Sequence, residues 1–538
     1  MLAKTHITAF SFVLLALLTA TSASATTFCV PNYSSNCAND GKNVATSDLA
    51  AAMSQDGTDG KADTIVIGAA ILTAQPGFQT QGTDPLEIAG SGPGDTVLTT
   101  AASGGSFIVD LAARPVKMHD LRVVVPSSAG SGRGIYLGGG DVLEHVDVES
   151  RTDAVQAIAF NGGATLRNGS IYASSGGKFE YGVEGVTIDP ATVSVSGYEI
   201  ENVRFGLDFR GDGAFGLVQR THIIDPTGRA IVALDGANAL VDNVLVRANG
   251  GEGGLMAATE SDSSANLTVR HATIVRTGGA APVSAAFDAV VGSDSAKGNA
   301  SVHVHNSIVR GFDKTYNRKG GYGDGGAADL SIAHSNYPAG GGSFGKGTFD
   351  VNDANIDADP KFAGPDDFHL AAGSPSIDRG VVQKGFPVTV DLDGLARPVD
   401  GDGDGQALPD QGAYEFKPGA PPQSPGGDPG DGPGGGAGAD TVAPVIAKLS
   451  AKGLRARRGG KVKLALSEPA VVFLTFAPSG RPKGGKKVVL VMQGAAGKNA
   501  LKVAKRRLRA RRYKLTAVAL DAAGNSSKPV TLKLAVAR

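Results

Sequence analysis

Glu144-His145-Val146-Asp147-Val148, Asn168-Gly169-Ser170-Ile171, Asn243-Val244-Leu245-Val246 and His271-Ala272-Thr273-Ile274 are copies of one phrase. A polar residue is followed three positions on by Ile or Val, with branched apolar residues around both. His305-Asn306-Ser307-Ile308 and the degenerate His334-Ser335-Asn336-Tyr337 continue the series. Two weaker copies, Ile200-Glu201-Asn202-Val203 and Arg220-Thr221-His222-Ile223, fall between them. From copy to copy the chain advances 23, 32, 20, 23, 28, 34 and 29 residues. A fixed phrase at variable spacing describes a coil of constant cross-section that lets out loops at its corners. Short Val/Ile/Leu-rich runs broken by Gly, Asn or Asp fill residues 64–416. The spacing therefore predicts an all-β chain whose main body is a parallel β-helix, with like residues stacked about 4.8 Å apart. The polar position is expected to form a ladder of His145, Asn168, Arg220, Asn243, His271, His305 and His334, bonding to turn backbone.

The composition agrees with such a coil. Gly contributes 77 of 538 residues, about twice its ordinary share, and tight turns need it. The apolar fraction of 41% can fill a long, narrow core, and Trp is absent. A net charge of −1 conceals a separation: residues 443–538 hold 23 Lys and Arg against Glu468 and Asp521 alone. Since the whole chain has 51 basic and 52 acidic residues, the rest carries 28 basic against 50 acidic. An acidic body is joined to a strongly basic tail.

The first 25 residues read as an export signal: Lys4, an apolar run from 7 to 20, and the small-x-small site Ala23-Ser24-Ala25. The run is short for a membrane span, and no later stretch reaches that length. Cys29 and Cys37 are the only cysteines. So close together in an exported chain, they are expected to form one small disulfide loop. Within this N-terminal segment (26–63), residues 46–53 read as a capping helix with Ser47 or Asp48 as N-cap.

Asp63-Thr64-Ile65-Val66-Ile67, Leu86-Glu87-Ile88-Ala89-Gly90-Ser91-Gly92 and Thr96-Val97-Leu98 resemble the opening of right-handed parallel β-helix proteins, the architecture of pectate lyases. Right-handed crossover connections are also the general preference. The end of the region carries a more specific series. It consists of Asp359-Pro360-Lys361-Phe362, Asp367-Phe368-His369-Leu370, Ser374-Pro375-Ser376-Ile377-Asp378-Arg379-Gly380, Asp391-Leu392-Asp393-Gly394 with Arg397-Pro398, and Gly412-Ala413-Tyr414-Glu415-Phe416. Together these resemble the choice-of-anchor Q domain of exported bacterial β-helix proteins, over roughly residues 45–416. The resemblance implies fold and export and leaves the chemistry to the residues. A Pro/Gly-rich linker, 417–440, follows. Residues 441–538 contain strand-like runs at 462–466, 471–476, 487–492, 500–503, 513–520 and 530–536. With Tyr513 opening the penultimate strand five residues after Leu508, and the turn Asp521-Ala522-Ala523-Gly524-Asn525, the segment resembles a bacterial immunoglobulin-like β-sandwich.

Three constellations could carry chemistry. Asp400-Gly401-Asp402-Gly403-Asp404-Gly405 presents three alternating carboxylates to one hard cation such as Ca²⁺. The twelfth position of a complete loop is Gln411, with Asp410 one place early, so the match is incomplete and Asp410 is the fourth candidate ligand. Asp208, Arg210, Asp212, Asp225, Arg229, Asp242 and Arg247 are the residues from which a lyase would draw its acids and base. A hydrolase would pair Asp208 with Asp225 or Asp242. Charged residues on a solenoid are more often its wet surface, and the absence of Trp removes the best sugar-stacking ring. Basic clusters at 455–458, 483–487 and 505–512 fit anionic envelope polymer better than nucleic acid at an exported address. The expectation is therefore a monomeric, secreted or surface-retained polysaccharide-binding or adhesion protein. The alternative is a Ca²⁺-dependent lyase or a glycoside hydrolase working on the lateral face.

Overall fold

The computed structural model describes residues 25–54, 60–102, 104–129, 132–185, 192–278, 285–351, 354–383, 388–419, 442–479, 488–505, 507–521 and 527–538. The expected leader, most of the linker, the basic cluster at 483–487 and the turn at 522–526 lie outside the described residues.

Residues 27–351 wind into a parallel β-helix. One wall is an 11-stranded parallel sheet that receives a strand from each successive coil, from Phe78–Gln79 to Gly341–Phe344. The remaining walls belong to a 20-stranded sheet. In it the long strands Val116–Val125, Asp141–Ser150, Phe215–Ile224 and Asn238–Asn249 run along one wall, pivot, and continue along the next. Each pivot is a polar residue at positive φ. The strand registers stack Asp120, His145, Asn168, Gly197, Arg220, Asn243, His271, Asn306 and His334 into a single column, all in the left-handed region. That conformation favours Asn, Asp, His and Gly, which is why the phrase begins with a polar residue. Val146, Ile171, Val244, Ile274 and their stacked equivalents face inward and are fully buried.

The column corrects the expected ladder in one coil and adds Asp120 and Gly197 to it. His305 pairs in register with Arg270, one position early, and Asn306 is the pivot. In the coil between Asn168 and Arg220 the weak copy at 200–203 does not supply the pivot. Gly197 does, and a Cβ there would strike the Asn168 side chain.

The first coil is closed as expected. Cys29 and Cys37 are bonded, with Cα atoms 5.6 Å apart. The helix Leu49–Met53 is capped by Asp48, whose carboxylate accepts from the Ala51 amide at 2.9 Å. Leu49 and Met53 are buried in the tube's core, so the helix covers an end that would otherwise expose a sheet edge.

Two of the three walls carry packed chain on part of their outer face as well as a filled inside. The described residues of 354–416, almost without strands, lie over the wall that follows the pivots. Phe368, Leu392, Ala413 and Tyr414 pack on Leu245 and Val275, and Leu370 and Ile377 pack on Ile308. The polar column holds this cover. Asn243 Nδ2 donates to the Val390 carbonyl at 2.6 Å. The Asn306 amide bonds the Val381 backbone in both directions, at 2.9 and 3.0 Å. His271 Nδ1 lies 3.2 Å from the Asp410 carbonyl. These side chains thus bond the cover's backbone rather than their own turns, because the left-handed pivot aims them out of the tube.

The C-terminal residues form two antiparallel sheets. One has three strands, Ile446–Ser450, Gly460–Leu466 and Gly497–Val503, and the other four, Val488–Gly494, Ala470–Ser479, Arg512–Leu520 and Val530–Ala535. All six expected runs are present, and Ile446–Ser450 is a further strand. The Tyr513 hydroxyl bonds both backbone groups of Arg509, at 3.2 and 3.3 Å. Ala470-Val471-Val472-Phe473-Leu474 does not alternate, as suits a strand buried on both faces. Val472 and Leu474 fill the sandwich core. Val471, Phe473 and Leu520 meet Phe215, Leu217 and Leu240 on the outside of the β-helix, with the Phe215 and Phe473 rings edge to face at 4.7 Å. The module is therefore docked on the β-helix. Phe473→Asp would force a carboxylate into this contact, where leaving a charge unpaired costs several kcal/mol. The sandwich is expected to detach while staying folded, seen as a larger radius of gyration in small-angle scattering. Unchanged scattering would contradict the contact.

Candidate functional site

The third wall, the 11-stranded sheet, is the open one. Its ring contacts and ion pairs run between its own coils or within them. Its outer surface is a ladder of stacked rings and paired charges. Phe107 and Tyr136 stack at 4.9 Å, and Tyr181 and Phe205 at 5.3 Å. Arg133, Arg204 and Arg210 lie over Phe107, Phe205 and Tyr181 at 5.5, 4.9 and 5.4 Å. Two of these contacts follow from register, Phe107 opposite Arg133 and Tyr181 opposite Phe205, since side chains at equivalent positions of neighbouring coils stand one strand spacing apart.

The lyase and hydrolase candidates do not converge. Asp208 and Arg210 share a face, as their spacing implies. Arg210 grips the carboxylate with two bonds, 2.8 and 2.6 Å, and the Asp208 side chain is 2% exposed. Asp225 pairs with Arg247 at 3.5 Å, beyond the pivot on the covered wall. Arg229 is held by Asp288 at 2.6 Å and Glu252 at 3.0 Å. Asp242 is sealed against Arg270, with both bonds at 2.5 Å and neither side chain more than 1% exposed. Asp212 lies in the turn between Val203–Arg210 and Phe215–Ile224. A carboxylate gripped by a guanidinium has fewer lone pairs left to take a substrate proton. One neighbour was missed by sequence: Glu184 stands in register beside Asp208 and accepts from Gln156. Burial, aided by the Asp208 charge, pushes its pKa above the usual carboxylate range. Its signal was present only as a register, which no single strand displays.

The acidic loop is partly assembled. Asp400 and Asp402 each place a carboxylate oxygen within 4.8 Å of the other and of Asp378. Asp378, not Asp404, is thus the third member. Asp410 is turned inward, accepting from the amides of Asp378 at 2.7 Å and Phe416 at 2.6 Å. The loop's carboxylates also cap its own turns: Asp400 accepts from Gly403 and Gly405, and Asp378 from Gly401, Asp402 and Leu408. Three carboxylates beside a hollow of about 810 Å³ are a donor set of the right chemistry for Ca²⁺. Asp378 had no motif signal because it lies 22 residues upstream of the loop.

A second hollow, about 230 Å³, opens between the covered wall and its cover, lined by Glu199, Glu201, His222, Arg247, Asp366 and His369 among others. His369 is held at both ring nitrogens, by Asp367 at 2.5 Å and Asp393 at 2.8 Å, and lies on the Tyr414 ring at 3.9 Å. Burial opposes its charge, but the two carboxylates win and raise its pKa. With neither nitrogen free it is a clamp within the cover, not a general base. His222 beside it has its pKa lowered by burial.

No protein-family model matches the chain, and no curated protein matches it significantly. Among the described residues no helix is long and apolar enough to cross a membrane.

Proposed function

We propose that this protein is an exported, non-catalytic polymer-binding protein, akin to choice-of-anchor Q β-helix proteins with an immunoglobulin-like C-terminal module. The open wall serves as a long contact surface for polysaccharide, and the basic sandwich holds anionic envelope polymer. The observation that carries this reading is the dispersal of the candidate catalytic acids and bases into separate ion pairs, of which Asp242–Arg270 is fully buried. Stacked rings edged by Arg and acid side chains suit a sugar chain, which needs a flat apolar patch and polar groups beside it. The alternative, a carbohydrate-active enzyme, draws support from Glu184 alone: a carboxyl of raised pKa in register beside the Arg210-bound Asp208 is placed as an acid and its partner would be. A polysaccharide array read for both retention and cleavage separates the two. Retention without unsaturated or reducing-end product is the expected result, and product that disappears in Glu184→Gln would replace the binder with the enzyme.

A further inference from the structure

The sandwich sets like charges face to face. In its three-stranded sheet Lys461, on the central strand Gly460–Leu466, lies directly opposite Lys502 on Gly497–Val503. Lys463 follows two residues along the central strand, and Lys498 stands opposite Ala465. All four are exposed. They share the outward face because Val462, Leu464 and Leu466, at the alternate positions, fill the core. At the end where Lys461 meets Lys502, exposed Arg457, Arg458 and Lys505 are close by, since Gly459 backs onto the backbone of Val503 and Lys505. The three strands contain no acid. Of the two acids in residues 443–538, Glu468 lies beyond the far end of the central strand and Asp521 is buried.

Directly opposed like charges destabilise a sheet. Lysines on an edge strand guard against unwanted pairing, which accounts for Lys498 and Lys502 but not for Lys461 and Lys463 on the central strand. We infer that this outward face binds a flexible linear polyanion carrying phosphodiester charges and no bases. The inference rests on the proposed contact between the basic module and envelope polymer, and it names the face and the chemistry. Opposed and alternate lysines place ammonium groups about 5 to 7 Å apart, a density that suits a repeating charge. Lys is a compact point charge with three donors, well matched to phosphate, whereas planar recognition of carboxylate favours the Arg fork. The described aromatic residues of the module, Phe473, Phe476 and Tyr513, are all buried, so bases have no ring to stack on.

The test uses the full chain, titrated with poly(glycerol phosphate), polygalacturonate and duplex DNA over a range of salt. Lys461→Gln/Lys463→Gln/Lys498→Gln/Lys502→Gln is compared with Lys514→Gln/Lys533→Gln, a second opposed pair on the other sheet. The expected result is that poly(glycerol phosphate) binds best. The fourfold variant should then lose at least about tenfold in affinity at low salt, and its slope of log affinity against log salt should flatten by about 3, near 0.7 per charge. Its thermal midpoint should hold or rise, because repulsion has been removed, whereas a structural role for the lysines would lower it. Wild-type affinity in the fourfold variant, or an equal loss in the Lys514/Lys533 control, would overturn the face while leaving the basic module as the binder. Tighter binding of polygalacturonate or DNA would overturn the ligand chemistry. No binding of any polyanion by the wild type would bring down the underlying reading too.

Discussion

Asp242→Ala is expected to lower the stability of the coil by about 3–5 kcal/mol, more than any truncation on its wet surface. Asp242 and Arg270 come from adjacent coils, brought side by side by the register of Asn238–Asn249 with Ala265–Arg270. Their side chains are 1% and 0% exposed. Water cannot reach Arg270 to replace the lost carboxylate, so its charge would stay buried without its partner. The pair itself is a weak source of stability, since desolvating two ions offsets most of their attraction. Asp242→Leu combined with Arg270→Met is therefore expected to recover most of the loss. Urea unfolding followed on the solenoid transition measures both. A single substitution costing under about 1 kcal/mol, or a double no better than the single, would show that the pair is not isolated from solvent.

Arg397→Met is expected to cost a similar amount, about 3–5 kcal/mol, but locally, by releasing the cover. The Arg397 guanidinium pairs with Glu415 at 2.8 Å, both side chains fully buried, and also bonds the Gly412 carbonyl at 3.0 Å and Asn243 Oδ1 at 3.4 Å. It thereby ties the last part of the cover, around residues 397, 412 and 415, to the polar column. Without it Glu415 and Asp410 would share a dry site with no cation. Burial first, and then the neighbouring Glu415 charge, already push Asp410 up to about 8, and burial raises Glu415 as well. Such a pair binds a proton more tightly folded than unfolded. Its contribution is present below the ordinary carboxylate range and is lost as pH rises through about 8. Hydrogen exchange should show residues 376–416 losing protection in the variant, and loosening in the wild type from pH 5 to pH 9, with the 11-stranded sheet unchanged. Equal protection in both proteins at every pH would disprove the arrangement.

Much of the coil was legible because one backbone requirement recurs. A left-handed pivot in successive coils selects Asn, Asp, His or Gly, and the flanking branched residues must point inward, so the phrase at Asn168, Asn243 and His271 is a direct trace of geometry. It misled where two polar residues adjoin, as at His305-Asn306, or where Gly197 supplies the conformation without a polar side chain. In the candidate sites, Asp208 with Arg210 was legible because both sit on one strand. Glu184, Asp378 and Arg270 were not, since each meets its partner across coils or across the cover.

By itself, the chain's order of residues determined the coil, its disulfide-pinned start, the basic β-rich tail and the acidic loop, because each depends on neighbours within a few positions. Tertiary structure alone decided which wall stays open, that the sandwich docks through Phe473, and that Asp208, Asp225 and Asp242 are each paired with a guanidinium group. Those outcomes depend on which coil stacks on which, and loops of unequal length leave that offset unwritten in any local pattern.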